Sequence, residues 1–147
     1  MTVVGLDDTD SRERGMCTTY AAARLAESIR DAGGAVERLL LVRLNPAVEH
    51  KTRGNAALAV HTDLDAETAV ELVDEALDMA ETDDPRTNPG AVVADCDPDA
   101  VPPQVATFAR DAVRSIQDPM AATTLADVVG FARRQRGNGR GGIGALA

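Results

Sequence analysis

The sequence predicts an α/β (α+β) fold: a βαββαβ ferredoxin-like two-layer sandwich followed by C-terminal helices. Three observations predict it. Short apolar, β-branched runs alternate with helix-period patterns in the order βαββαβ. The chain has 147 residues and carries neither internal repeats nor low-complexity linkers, which suits one domain with a real core. It is 44% hydrophobic but holds no Trp, one Tyr and two Phe, so that core must be built from Val, Leu, Ile and Ala.

Thr2 to Leu6 is short, apolar and β-branched and ends in polar turn-formers, as a buried strand does. Asp7, Asp8 and Asp10 follow directly, with Thr9 and Ser11 among them, and Gly15 permits a turn. A helix begins at about Met16, with Ala22, Leu25, Ala26 and Ile29 on one face, and ends at Gly33-Gly34. Val36 to Leu44 is a second strand with a nearly continuous apolar run at Leu39, Leu40, Leu41 and Val42. A polar loop, LNPAVEHKTRGN, leads to a third strand, Ala56 to His61, which makes these two strands neighbours. Asp65 caps a helix with Ala66, Ala69, Val70, Val73, Ala76, Leu77 and Ala80 inward; Glu67, Glu71, Asp74, Glu75, Asp78 and Glu81 form its acidic outer face. ETDDPRTNPG leads to a fourth strand, Ala91 to Ala94.

The βαββαβ core thus occupies about residues 1–97, and helices with a glycine-rich loop occupy about 98–147. Pro102-Pro103 opens one helix, with Val105, Phe108, Ala109, Ala112, Val113 and Ile116 on a face. Asp118-Pro119 opens another, with Leu125, Val128, Val129 and Ala132 on a face. GIGALA reads as a helix starting without a cap, and the expectation is a single catalytic domain from a longer chain.

Charge says little about partners. The formal net charge is −9, from 24 acidic and 15 basic residues, and Lys51 is the one lysine. Abundant carboxylates with almost no lysine suit a surface adapted to high salt, where self-repulsion is screened. Cys17 and Cys96 form no paired spacing, so neither zinc nor a disulfide framework is indicated. No apolar run approaches a membrane span and no signal-peptide pattern is present, so a cytoplasmic protein is expected.

Carboxylates at a strand tip, facing a helix start that carries Cys17, Thr18 and Thr19, describe a metal–phosphate site. Mg²⁺ prefers hard oxygen ligands, usually one or two carboxylates alongside phosphates, and helix N-termini favour anions. A solvated acidic turn is the other reading, since Asp is a common turn residue. In the loop with Asn45, His50 and Asn55, Lys51 and Arg53 can clamp phosphate as a point charge and a planar fork. His50 and His61 read as structural. Thr87-Asn88-Pro89-Gly90 is what a turn before a strand needs, and nothing in it demands more. GNGRGGIG, from Gly137 to Gly144, lacks the ending of a Walker A sequence. Flanked by Arg133, Arg134, Arg136 and Arg140, it offers backbone N–H groups to phosphate or RNA, or else is a flexible tail.

GLDDTDS with GMCTTY, VRLNP with KTRGN, then TNPG and GRGGIGAL together resemble the N-terminal part of the archaeal agmatidine synthetases, the TiaS family, over essentially the whole chain. GMCTTY and NP…KTRGN are the specific segments. The resemblance implies an enzyme that uses ATP, taken down to AMP, to attach agmatine to C2 of the wobble cytidine of the AUA-reading isoleucine tRNA. The domain would act as an unusual kinase that phosphorylates the cytosine O2. It implies an acidic Mg²⁺ loop at Asp7, Asp8 and Asp10, and a phosphate-accepting threonine at Thr18. Ser11, Cys17, Thr19 and Asn45 would accompany them, with Lys51, Arg53 and the loop of Gly139, Arg140, Gly141 and Gly142 binding nucleotide. The family's OB-fold and zinc ribbon have no counterpart in these residues, so the chain alone is not expected to modify tRNA.

Two other classes fit parts of the sequence. A haloacid dehalogenase-type phosphohydrolase needs Thr or Val at position 12, where Arg12 stands. A non-catalytic ferredoxin-like binding module would have no Mg²⁺-dependent affinity for ATP.

Overall fold

The computed structural model describes every residue of the chain except His50, Thr52 and Arg53. Five strands form one sheet: β1 (Thr2–Asp7), β2 (Val36–Arg43), β3 (Ala56–Thr62), β4 (Gly90–Asp95) and β5 (Ala132–Gln135). Their order is β2-β3-β1-β4-β5, and all neighbours are antiparallel. The first four strands with α1 (Thr18–Asp31) and α2 (Ala66–Asp78) are the expected βαββαβ unit.

Period-2 alternation sorts the two faces of the sheet. Val4 and Leu6 of β1 point to α1 and α2, where they pack with Leu25, Ile29, Val60, Val73 and Leu77. Leu77 is fully buried in that cluster. Its replacement, Leu77→Ala, is expected to cost about 2–5 kcal/mol in urea unfolding. Val128→Ala, at a side chain 74% exposed, should cost less than about 0.5 kcal/mol in the same measurement.

The opposite face carries a third layer. α3 (Pro103–Arg114), α4 (Pro119–Val128) and α5 (Gly141–Leu146) bury Val105, Phe108, Ala122, Ala126, Ala145 and Leu146 against Val92. The C-terminal helices therefore turn the two-layer sandwich into an α/β/α arrangement. α5 crosses β1 so closely that a Cβ on Gly5 would overlap the Ala145 carbonyl.

The structure corrects the sequence reading in three places. Ala132 belongs to β5 rather than to the face of α4, which stops at Val128; Gly130, at φ +76°, breaks the helix. β5 tolerates its arginines because it is an edge strand whose side chains find carboxylates: Arg134 pairs with Asp74 and Arg133 with Asp127, and Arg136, just past the strand, pairs with Asp74 and Asp78. The acidic outer face of α2 is thus partly a docking face for β5. Second, Leu39, Leu40 and Leu41 are exposed rather than buried, because β2 is the other edge. Third, Val113, Ile116 and Val128, expected on inward faces, are exposed as well.

Candidate functional site

β1 delivers Asp7 at its tip, beside the start of α1. Asp7 then packs against α5, where a Cβ on Gly144 would overlap its carboxylate. Asp8 turns the chain with a left-handed backbone (φ 58°), as does Met16 (φ 60°) at the far end of the loop. Such backbone persists only where the surroundings over-determine it, and here they do. The Ser11 hydroxyl is buried and donates to Asp84 Oδ2 (2.7 Å), while the N–H groups of Glu13 and Arg14 donate to Ser11 Oγ (3.2 Å each). Asp84 also accepts from Arg86 through Nε, Nη2 and the backbone N–H, each at 3.0 Å. Those Arg86 bonds, then the Ser11 hydroxyl, hold the Asp84 carboxyl well below the usual carboxylate range.

Asp7, Asp8 and Asp10 all line one cleft of about 440 Å³. Cys17, Thr18, Thr19, Lys51 and Arg140 line it too, joined by Arg43, which sequence reasoning passed over. Arg43 could have been found: it ends β2 on the same face as Leu41, another lining residue. Leu44, Ile116, Pro119 and Ile143 give the cleft an apolar wall beside these polar groups.

Burial and neighbouring charge disfavour ionisation of the first two aspartates of the loop. Burial, and then the neighbouring Asp8 charge, raise the Asp7 carboxyl well above its ordinary value, although the Asp8 N–H donates to Asp7 Oδ1 (2.7 Å). Burial likewise raises Asp8 to about 7 against the opposing Asn88 N–H bond; the Asp10 charge adds to the rise and Arg140 opposes it. Among the described residues no three His, Cys, Asp or Glu side chains stand close enough together to hold a metal ion. The three aspartates share a cleft rather than form a closed metal cage.

Thr18 is nearly buried, and its Oγ1 accepts from the Thr9 hydroxyl (3.1 Å). The Cys17 thiol lies 2.8 Å from Thr19 Oγ1. Lys51 Nζ donates to the Pro46 carbonyl, and the Lys51 carbonyl accepts from Arg12 Nη2 (2.6 Å). Arg53 and His50 lie outside the described residues.

The remaining expected site residues do not line the cleft. Ser11 braces the aspartate loop from below. Asn45 is buried and anchors its loop, donating from its N–H to the Ala112 carbonyl (3.2 Å) and accepting the Ala47 N–H at Oδ1 (3.0 Å). Gly139 takes a left-handed backbone (φ +80°), and Gly141 and Gly142 allow close chain packing. A Cβ on Gly141 would overlap Gly90 and Asn88 backbone, and one on Gly142 would overlap the Gln135 side chain. The glycine-rich loop is folded onto the turn before β4: Arg136 N–H donates to the Pro89 carbonyl (2.9 Å), and Gly141 N–H to the Asn88 carbonyl (3.0 Å). The TNPG turn therefore has more to do than a turn requires.

The fold and cleft define a class: a ferredoxin-like α/β domain in which an aspartate loop and cationic side chains face a single cavity. The model of the TiaS TCKD domain matches residues 3–64. The chain is 54% identical over 149 residues to the tRNA 2-agmatinylcytidine synthetase TiaS of Haloquadratum walsbyi, covering 100% of this chain and 32% of that protein. It is 41% identical to the TiaS of Methanosarcina mazei, over 99% of this chain and 34% of the relative. A crystal structure of TiaS in complex with its isoleucine tRNA and ATP superposes with a TM-score of 0.88 at 37% identity, covering 99% of this chain and 34% of the other. A complex of TiaS with the same kind of tRNA, AMPCPP and agmatine does so at 0.82 and 35%, covering 99% and 35%. Over essentially its whole length the chain is similar to TiaS proteins. It spans about a third of the length of the curated relatives it matches.

Proposed function

We propose that this chain is the ATP-using, kinase-like domain of an agmatidine synthetase acting on the AUA-reading isoleucine tRNA. In this reading ATP goes to AMP, the cytosine O2 of the wobble cytidine is activated by phosphorylation, and agmatine is joined to C2. The observation that carries it is the meeting of Asp7 and Asp8, whose ionisation the fold disfavours, with Lys51, Arg43 and Arg140 on one cleft wall. Two adjacent carboxylates raised in this way are a donor set that a divalent cation would stabilise in their ionised form. They fit Mg²⁺ held by one or two carboxylates and completed by phosphate oxygens rather than a closed protein cage. Asp7 and Asp8 would hold the ion, with Asp10 on the same wall; when bound it would neutralise phosphate charge.

The chain's own residues supply the rest of what phosphoryl transfer needs, which is positioning and charge stabilisation. Lys51, Arg43 and Arg140 line the cleft and would face the anionic groups of a nucleotide, while Leu41, Leu44 and Ile116 would offer an apolar surface to a base. In this reading the Thr18 hydroxyl, on the lining of the same cleft, would take up phosphate. Agmatine and the isoleucine tRNA would engage through the longer enzyme, of which this chain would form one domain. Such work on tRNA belongs in the cytoplasm. No helix among the described residues is long and apolar enough to cross a membrane.

Calorimetric titration of the chain with ATP at high KCl tests the reading. Binding that appears with Mg²⁺, is lost with a chelator and weakens roughly tenfold in Lys51→Ala is the expected result. An affinity unchanged by the chelator, or no binding in either condition, would sink it.

A further inference from the structure

Asn88 stands 5% exposed between the two loops that make the polar wall of the cleft. Its N–H donates to Asp8 Oδ2 (3.0 Å). Its side-chain Oδ1 accepts the N–H of Asn138 (3.0 Å), and its carbonyl accepts the N–H of Gly141 (3.0 Å). Asn138 Oδ1 in turn accepts the N–H of Arg140 (3.0 Å), whose side chain lines the cleft with Asp8. The fit is tight from the other side: a Cβ on Gly137 would overlap Asn88 Oδ1. Thr87, one residue earlier, ties the same turn to the aspartate loop by donating from Oγ1 to the Asp10 carbonyl (2.8 Å).

From this relay we infer that Asn88 is a positioning residue, which sets the spacing between the Asp8 carboxylate and the Arg140 guanidinium across the cleft. The inference rests on the proposed nucleotide site and deepens it: the spacing fixes where a cation on Asp8 and a phosphate oxygen on Arg140 stand relative to each other. Preorganising a charge pair around a phosphate matters because misplacement by about 1 Å is costly in such sites. Asn88 itself touches neither nucleotide nor metal and acts through Asn138 and Arg140.

The test pairs Asn88→Ala with Arg140→Ala and their double variant in the 147-residue chain. Mg·ATP affinity is measured by calorimetry and backbone amide exchange by NMR. Asn88→Ala removes the Oδ1 acceptor and keeps both backbone bonds. It is expected to speed exchange at Asn138 and Arg140 while β1 and β3 keep wild-type protection. It should weaken Mg·ATP roughly tenfold on the wild-type background and hardly at all on Arg140→Ala. A loss of the same size on both backgrounds would mean that Asn88 acts only on stability and would overturn the inference. Should Asn88→Ala fail to fold, Asn138→Ala breaks the next link of the relay at an exposed position, and the same expectations apply to it. Wild-type chain that binds no Mg·ATP would refute the proposed function. In that case unchanged exchange at Asn138 and Arg140 in the variant would separately refute the relay, and selective acceleration there would uphold it.

Discussion

Asp8→Asn is expected to abolish Mg²⁺-dependent ATP binding and at the same time to raise the Tm of the chain at pH 7.5. The two effects share one cause. The Asp8 carboxyl is raised to about 7 in the folded chain, chiefly by burial, against an unfolded value near about 3.9. Folding therefore favours the protonated form. The stability this contributes is fully present below about pH 4 and is lost as pH rises through about 7. Asparagine stays neutral throughout, its Oδ1 still accepts the Asn88 N–H, and it tolerates the left-handed backbone at this position (φ 58°). The full shift corresponds to about 4 kcal/mol at pH 7.5; because the side chain is partly exposed and solvent screens it, the expected gain is about 2 kcal/mol, a Tm rise of about 5 °C, shrinking toward zero by pH 4. Differential scanning calorimetry without divalent cation across pH 4–8 reads the first effect; titration with Mg·ATP reads the second. A variant that is less stable than wild type at pH 7.5, or that keeps Mg²⁺-dependent binding, would contradict this account of the aspartate loop.

Gly5→Ala should be among the most damaging single-methyl changes in the chain. The added Cβ would overlap the Ala145 carbonyl, and that contact is backbone against backbone. No side-chain rotation can relieve it, so α5 must lift off β1. α5 buries Ala145 and Leu146 against Val92 and carries Gly144 against Asp7, so lifting it opens both the second core and the floor of the cleft. A loss of about 3 kcal/mol or more is expected in urea unfolding, together with weaker Mg·ATP binding. Near-wild-type stability would mean that α5 can slide along β1 without loss.

How much of this was legible beforehand can be read residue by residue. The βαββαβ order and the inward faces of α1 and α2 follow from apolar periodicity alone, and the aspartate loop stands out because carboxylates cluster where a strand must end. β5 was invisible because ARRQ carries no strand pattern of its own; it is a strand only because β4 offers an unpaired edge and α2 offers Asp74 and Asp78. Exposure of Leu39 to Leu41 was equally hidden, since an apolar run reports strand character but not a place at the edge of the sheet. The roles of Asn88 and Asp84 are long-range, joining segments distant in sequence, and no local spacing announces them. The close contacts of Gly141, Gly142 and Gly144 with other parts of the chain were likewise hidden, since a glycine-rich run does not announce which segment will pack against it.

The seating of Asp7 against Gly144, near the opposite end of the sequence, makes the aspartate pair an indicator of completed folding. Until α5 settles across β1, the loop is an ordinary hydrated run of acidic residues with ordinary affinity for protons. Seating of α5 against Asp7 adds to the burial that raises its carboxyl. A chain in which α5 is not seated is therefore expected to hold Asp7 in more water, with its carboxyl nearer the ordinary value.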